Sequence, residues 1–125
     1  MNTNKKYKSV EEIPVWQKAH ELCIYVYKIT KHFPKNELYG LISQYQRCIV
    51  SVPANITEGF YRQTIKELLQ FLYMARGSLG EAKYYTILSR DLGDIKEDEY
   101  QHVTQLIENV GKQLNGWIKS LRKIK

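Results

Sequence analysis

Apolar residues in this 125-residue chain recur at three- and four-residue spacing from Trp16 to Leu121, and no stretch alternates as a half-buried strand would. Three punctuation points divide the periodic run. They are Pro34-Lys35-Asn36-Glu37, Tyr61-Arg62-Gln63 and the segment from Gly93 to Lys96. Proline cannot continue a helical ladder and restricts the residue before it, so the first helix is expected to stop at Phe33. Pro14 suits its first turn, and Trp16, Ala19, Cys23, Val26, Thr30 and Phe33 lie on one face. The second helix is expected over 38–60, with Leu38, Ile42, Tyr45, Ile49, Val52 and Ile56 as its buried stripe. Pro53 falls inside it, removes one donor and frees the carbonyl of Ile49, which predicts a kink. Thr64 with Glu67 three residues later reads as a capping box for a third helix. Gly93 suits that helix's C-terminal cap. A fourth helix is expected over 97–121. Short connections make neighbours antiparallel, so the expected fold is all-α, an antiparallel up-down-up-down four-helix bundle with a kinked second helix. One domain spans 1–125, and residues 1–13 read as a flexible basic N-terminal segment.

With 43% hydrophobic and 26% charged residues the chain has the composition of a globular domain. No apolar run approaches the roughly 18–20 residues that cross a bilayer, and Met1 to Glu12 holds no apolar stretch of signal-peptide type. The cytoplasm is the expected location, with no membrane partner. Cys23 and Cys48 sit in helical patterns and read as buried reduced thiols. The net charge of +6 is uneven: +4 over residues 1–35, −3 over 36–111 and +5 over 112–125. Basic ends around a mildly acidic middle suit an electrostatic role toward nucleic acid, or simple solvation of terminal lysines.

The third helix has too many apolar faces. A heptad assignment puts Ile65, Leu72, Leu79 and Thr86 in one core row and Leu68, Ala75, Ala82 and Ser89 in the other. The far side still carries Tyr73, Met74, Gly77, Gly80, Tyr84, Ile87 and Leu88. A peripheral bundle helix should be polar there, so this side reads as a subunit interface. Beside the core seam runs a basic row of Arg62, Arg76, Lys83 and Arg90 at multiples of seven, which suits either phosphates or salt bridges to Glu58 and Glu81. With Lys119, Arg122, Lys123 and Lys125 these are the candidate nucleic-acid contacts. On the second helix Arg47, Ser51, Asn55 and Glu58 form a polar stripe around Pro53. Together with Glu81 it reads as a structural hydrogen-bond network, the competing reading being a ligand site. On the structural reading Glu58 is buried against Arg47 or Arg76, and Glu58→Ala lowers thermal stability clearly.

Catalytic chemistry finds no footing in the residue pattern. None of His20, His32 and His102 has a second histidine three or four residues away, so no metal-ligand pair is visible. Gly77-Ser78-Leu79-Gly80 lacks the lysine of a phosphate loop. The one Glu-x-x-His, Glu99 to His102, has no second copy, as a di-iron bundle requires. No enzyme activity, cofactor or metal is expected.

Two segments carry a family resemblance. Residues 47–59 read Arg-Cys-Ile-Val-Ser-Val-Pro-Ala-Asn-Ile-Thr-Glu-Gly, and residues 76–81 read Arg-Gly-Ser-Leu-Gly-Glu. Together they resemble the small four-helix-bundle proteins encoded by intervening sequences of bacterial 23S ribosomal RNA genes. The accessory variability proteins of diversity-generating retroelements resemble the same family. The likeness runs from about Trp16 to about Leu92. It implies a ring-shaped homopentamer, and it implies RNA, DNA or a reverse transcriptase as partner. The expected function is a non-enzymatic oligomer associated with nucleic acid; the alternative is a protein-interaction scaffold with no nucleic-acid role.

Overall fold

The cap signals of the sequence stand at the helix ends of the protein, a computed structural model that describes residues 7–124. Among the described residues the secondary structure is wholly helical, with four α-helices: α1 (Pro14–Thr30), α2 (Ser43–Phe60), α3 (Ile65–Asp91) and α4 (Glu97–Arg122). Pro14 occupies the first turn of α1. At the other end the Thr30 hydroxyl donates to the Val26 carbonyl at 2.8 Å, and α1 closes three residues before Phe33, which is nevertheless buried. Thr64 opens α3 with a complete capping box. Its hydroxyl accepts from the Glu67 amide at 3.1 Å, and its own amide donates to the Glu67 carboxylate at 3.3 Å. Gly93 closes α3 at φ +79°. The amide of Asp94 reaches the Ser89 carbonyl at 2.9 Å and that of Gly93 reaches Arg90 at 3.0 Å. This is the two-bond Schellman pattern, and it needs the left-handed residue that only glycine adopts cheaply.

Two elements differ from the sequence reading. The second helix begins where expected, but its first five residues, Leu38–Ile42, form a π-helical turn after a short 3₁₀ turn at Lys35–Glu37. Leu38, expected in the buried stripe, is 49% exposed, because the wider turn rotates it off the core face. From Ser43 the α-geometry runs unbroken through the buried Pro53 to Phe60. The second difference is the N-terminal segment. Residues 7–13 are not a flexible tail. Ser9 caps a 3₁₀ turn at Val10–Glu12, Val10 and Ile13 are buried in the core, and the Val10 amide donates to the Tyr61 hydroxyl at 3.4 Å. Two apolar residues three apart suffice to pin this segment. Residues 1–6 of the expected basic segment lie outside the described residues.

Each helix packs chiefly on two neighbours: α1 on α2 and α4, α3 on α2 and α4. Trp16, near the start of α1, donates from its indole nitrogen to Thr57 near the end of α2 at 2.9 Å. Gln46, near the start of α2, donates to Thr30 at the end of α1 at 2.9 Å. Tyr45 and Thr86 share a buried bond of 2.6 Å between the start of α2 and the end of α3. Thr86 gives its own proton to the Ala82 carbonyl, so Tyr45 is the donor. Both heptad rows of α3 are buried except Ile65, which is half-buried at the first turn. Val103, Leu106, Ile107, Val110, Leu114, Ile118 and Leu121 of α4 close the core from the other side.

The tightest approach is between α2 and α3 at Gly59. A Cβ there would lie 2.9 Å from the Phe71 Cβ and 3.3 Å from the Leu68 carbonyl oxygen. Neither atom can swing away, so Gly59→Ala is expected to destabilise the fold by roughly 1–3 kcal/mol despite alanine's better helix propensity. Urea unfolding checks this; unchanged stability would mean the two helices separate freely at that point.

Candidate functional site

Three surfaces hold the residues singled out by sequence: the polar stripe of α2, the basic row of α3 and the outer face of α3. The polar stripe is smaller than expected and has a different partner. The Asn55 amide donates to the Ser51 carbonyl at 2.8 Å and to its hydroxyl at 2.9 Å. The Ser51 hydroxyl shares a 2.8 Å bond with Ser78 across the α2–α3 junction. Ser78 carries no sequence signal of this role, since it stands between Gly77 and Gly80 outside any recognisable polar pattern. Arg47 is exposed and makes no hydrogen bond or ion pair among the described residues. Glu58 is not buried against Arg47 or Arg76. It points outward and pairs with Arg62 at 2.6 Å, the two side chains being 52% and 41% exposed. Glu81 is exposed as well and is no partner of Arg76. Its charge instead raises the pKa of the Tyr85 hydroxyl, behind the larger effect of burial. The network therefore contains Ser51 and Asn55 with Ser78, and excludes Arg47, Glu58 and Glu81.

The basic row of α3 is not a ridge of uncommitted charge. Arg62 lies over the Phe71 ring at 4.9 Å besides its bond to Glu58. Arg76 donates to Asn115 of α4 at 3.1 Å and lies 5.2 Å from the Tyr73 ring centre. Arg90 bonds Asp91 at 3.0 Å and lies over Tyr100 at 4.6 Å. Hydrogen bonding to Asp91, more than any other influence, raises its pKa. Lys83 alone of the four makes no bond or ion pair among the described residues. Each of the three arginines is thus held against an aromatic ring by its guanidinium. The C-terminal residues Lys119, Arg122 and Lys123 are exposed and enter no ion pair among the described residues, while Lys125 lies outside them. The chain end lies beside the start of α3: Ile124, Lys66, Ile65, Leu69 and Tyr73 line one cleft of about 430 Å³.

The outer face of α3 is open. Tyr73, Met74 and Tyr84 are 37%, 54% and 57% exposed. A Cβ at Gly77 or Gly80 would meet nothing within 4 Å. Ile87 is half-buried, and Leu88 departs from the expectation by packing on the core's edge. The surroundings of both thiols disfavour the thiolate. Burial lifts Cys23, and burial with the nearby Glu81 charge pushes Cys48 up to about 12. Among the described residues no three His, Cys, Asp or Glu side chains converge as a metal site would require, and no helix is long and apolar enough to cross a membrane.

This arrangement matches a known family. The family model of the 23S rRNA-intervening sequence protein covers residues 11–116. The chain belongs to that family. Among solved structures it resembles a protein with unknown function from the S23 ribosomal protein family of Bacteroides thetaiotaomicron VPI-5482, with a TM-score of 0.78, 22% identity, and coverage of 84% of this chain and 95% of that one. At that identity the likeness establishes the fold. No curated protein matches the chain. Both segments that carry the resemblance, 47–59 and 76–81, lie on the α2–α3 pair, where Ser51, Asn55 and Ser78 make their bonds.

The exposed Glu58–Arg62 pair is worth less than about 1 kcal/mol, so Glu58→Ala should leave the melting curve nearly unmoved, contrary to the sequence-based expectation. Ser51→Ala and Ser78→Ala should each cost more, with a coupling of about 0.5–1.5 kcal/mol in a double-mutant cycle followed by thermal unfolding. A large Glu58 effect with no serine coupling would reverse this assignment.

Proposed function

We infer that this chain is a non-enzymatic, cytoplasmic protein. It assembles through the outer face of α3 and presents basic surface to nucleic acid. The observation that carries the nucleic-acid reading is the basic end of the bundle. Lys119, Arg122 and Lys123 are exposed without ionic partners among the described residues, and the cleft shared by Lys66 and Ile124 brings the start of α3 to the same place. No acid lies beyond residue 111 to neutralise that end. Phosphate contacts of this kind give binding with little sequence preference and a steep salt dependence. The contacts between starts and ends of successive helices support the antiparallel up-down-up-down arrangement.

Self-association supplies what one chain lacks. A basic end with three or four lysines and arginines binds a polyanion weakly, and repetition around a ring multiplies it through effective concentration. The family resemblance favours a homopentamer. The exposed Tyr73, Met74 and Tyr84 with the open Gly77 and Gly80 favour α3 as the contact helix. Light scattering at micromolar concentration should give an oligomer. Gly80→Leu should break the assembly while leaving helicity intact, since a Cβ there meets nothing within the chain. A monomeric parent protein would sink the assembly reading.

Nucleic-acid association has its own test. Titration of fluorescent RNA and DNA at low salt should show binding that falls steeply as salt rises. Replacing Lys119, Arg122, Lys123 and Lys125 together with glutamine should reduce it without unfolding the bundle. If neither RNA nor DNA binds at low salt, the protein-scaffold reading takes its place.

A further inference from the structure

We propose that the junction between α1 and α2 is a binding site for a nucleoside monophosphate, either free or as the terminal residue of a nucleic-acid strand. The proposal stands on a pocket of about 260 Å³ at the opposite end of the bundle from the basic chain terminus. Its apolar walls are Phe33, Leu38 and Ile42, and Lys31 and Lys35 stand among its lining residues. Both lysines are exposed and enter no ion pair among the described residues. Glu37, the nearest acid in sequence, forms no ion pair with either lysine among the described residues; desolvation first, and then the neighbouring Asp94 of the α3–α4 connection, raise its pKa. Two unpaired ammonium groups at one pocket suit a doubly charged anion, and lysine is a common phosphate binder.

The remaining features select an aromatic body for that anion. The π-helical turn at Leu38–Ile42 sets an apolar pair outward, Leu38 at 49% and Tyr39 at 92% exposure. Turns of this kind cost hydrogen-bond geometry and recur at functional sites. Tyr39 follows the pocket residue Leu38 in sequence, lies outside the lining and stands almost wholly in water, where it can stack only on a base that extends beyond the pocket. Gln46, also in the lining, uses one amide hydrogen on Thr30. Its oxygen and second hydrogen remain to read the donor and acceptor groups of a base edge. An inorganic anion would use the lysines alone and leave the apolar walls and Gln46 idle.

Calorimetric titration of the full chain tests the site with four probes: uridine monophosphate, inorganic phosphate, and a trinucleotide with and without a 5′ phosphate. The nucleoside monophosphate should bind at least about tenfold more tightly than phosphate, and Lys31→Gln with Lys35→Gln should weaken it about tenfold or more. Gln46→Leu should weaken it separately. A phosphorylated trinucleotide that binds better than the free nucleotide identifies a strand end as the ligand; the reverse identifies the free nucleotide. Unchanged affinity in the double-lysine variant overturns the proposal. So does equal binding of phosphate and nucleotide, or no binding of either. Both lysines are exposed, so a melting curve matching the parent confirms that the variant is folded. The C-terminal quadruple variant should keep mononucleotide binding intact, which separates failure at this pocket from failure of the chain-end surface.

Discussion

The pairing of α2 with α3 is the constraint on which the rest of the molecule depends. It is the most extensive helix contact in the fold. At one end Gly59 lets the α3 backbone come close enough that no side chain fits between them. In the middle Ser51 and Ser78 bond directly, and at the far end Tyr45 reaches Thr86. Three fixed points along the shared length of two helices leave them no freedom to slide or roll. The rotation of α3 about its own axis is then decided, with its core rows against α2 and α4 and its third apolar side facing out.

That rotation explains why polar residues sit where they do. Tyr45 is fully buried, and burial drives its hydroxyl pKa upward, so it stays neutral and donates to Thr86. Thr86, Ser89 and Thr30 each return a hydroxyl proton to the carbonyl of their own preceding turn, which lets a buried helix carry a hydroxyl without a stranded donor. Buried polarity of this kind serves registry more than bulk stability. A net hydrogen bond contributes only about 1 kcal/mol, but an unmade one costs more than that. Misaligned α2 and α3 would leave Tyr45 unpaired, and the native register avoids that cost.

The helices themselves were legible in the sequence because their ends carry unambiguous chemistry. Thr64 with Glu67, Gly93 and Pro14 each stand at the predicted cap, and the heptad rows of α3 are the buried rows. What escaped was pairing between helices. A helical wheel puts Arg47, Ser51, Asn55 and Glu58 on one stripe, yet the stripe curves across a boundary: Ser51 and Asn55 lie at the α2–α3 junction, and Glu58 lies in water. No spacing rule separates those cases, since each depends on where the neighbouring helix passes. The π-helical turn was hidden for a similar reason, because Leu38 fits the apolar period even though the wider turn carries it outward. Val10 and Ile13 are buried without a sequence signal, because two apolar residues in a polar segment make no periodic pattern.

Gly77 and Gly80 bear on why the outer face of α3 is built as it is. In a helix interior each glycine costs about 1 kcal/mol relative to alanine. Gly59 repays that cost within the chain, because no larger residue fits beside Phe71 and Leu68. Gly77 and Gly80 have no such return, since a Cβ at either position would stand in open space. Two unreturned glycines one turn apart, among Tyr73, Met74 and Tyr84, amount to about 2 kcal/mol given up by the isolated chain. The proposed assembly supplies the missing compensation. A helix backbone from a second subunit can approach the bare stretch closely, and the flanking tyrosines and methionine then lose their water-exposed area. The same absence of side chains that weakens the single helix is what gives a partner room to dock.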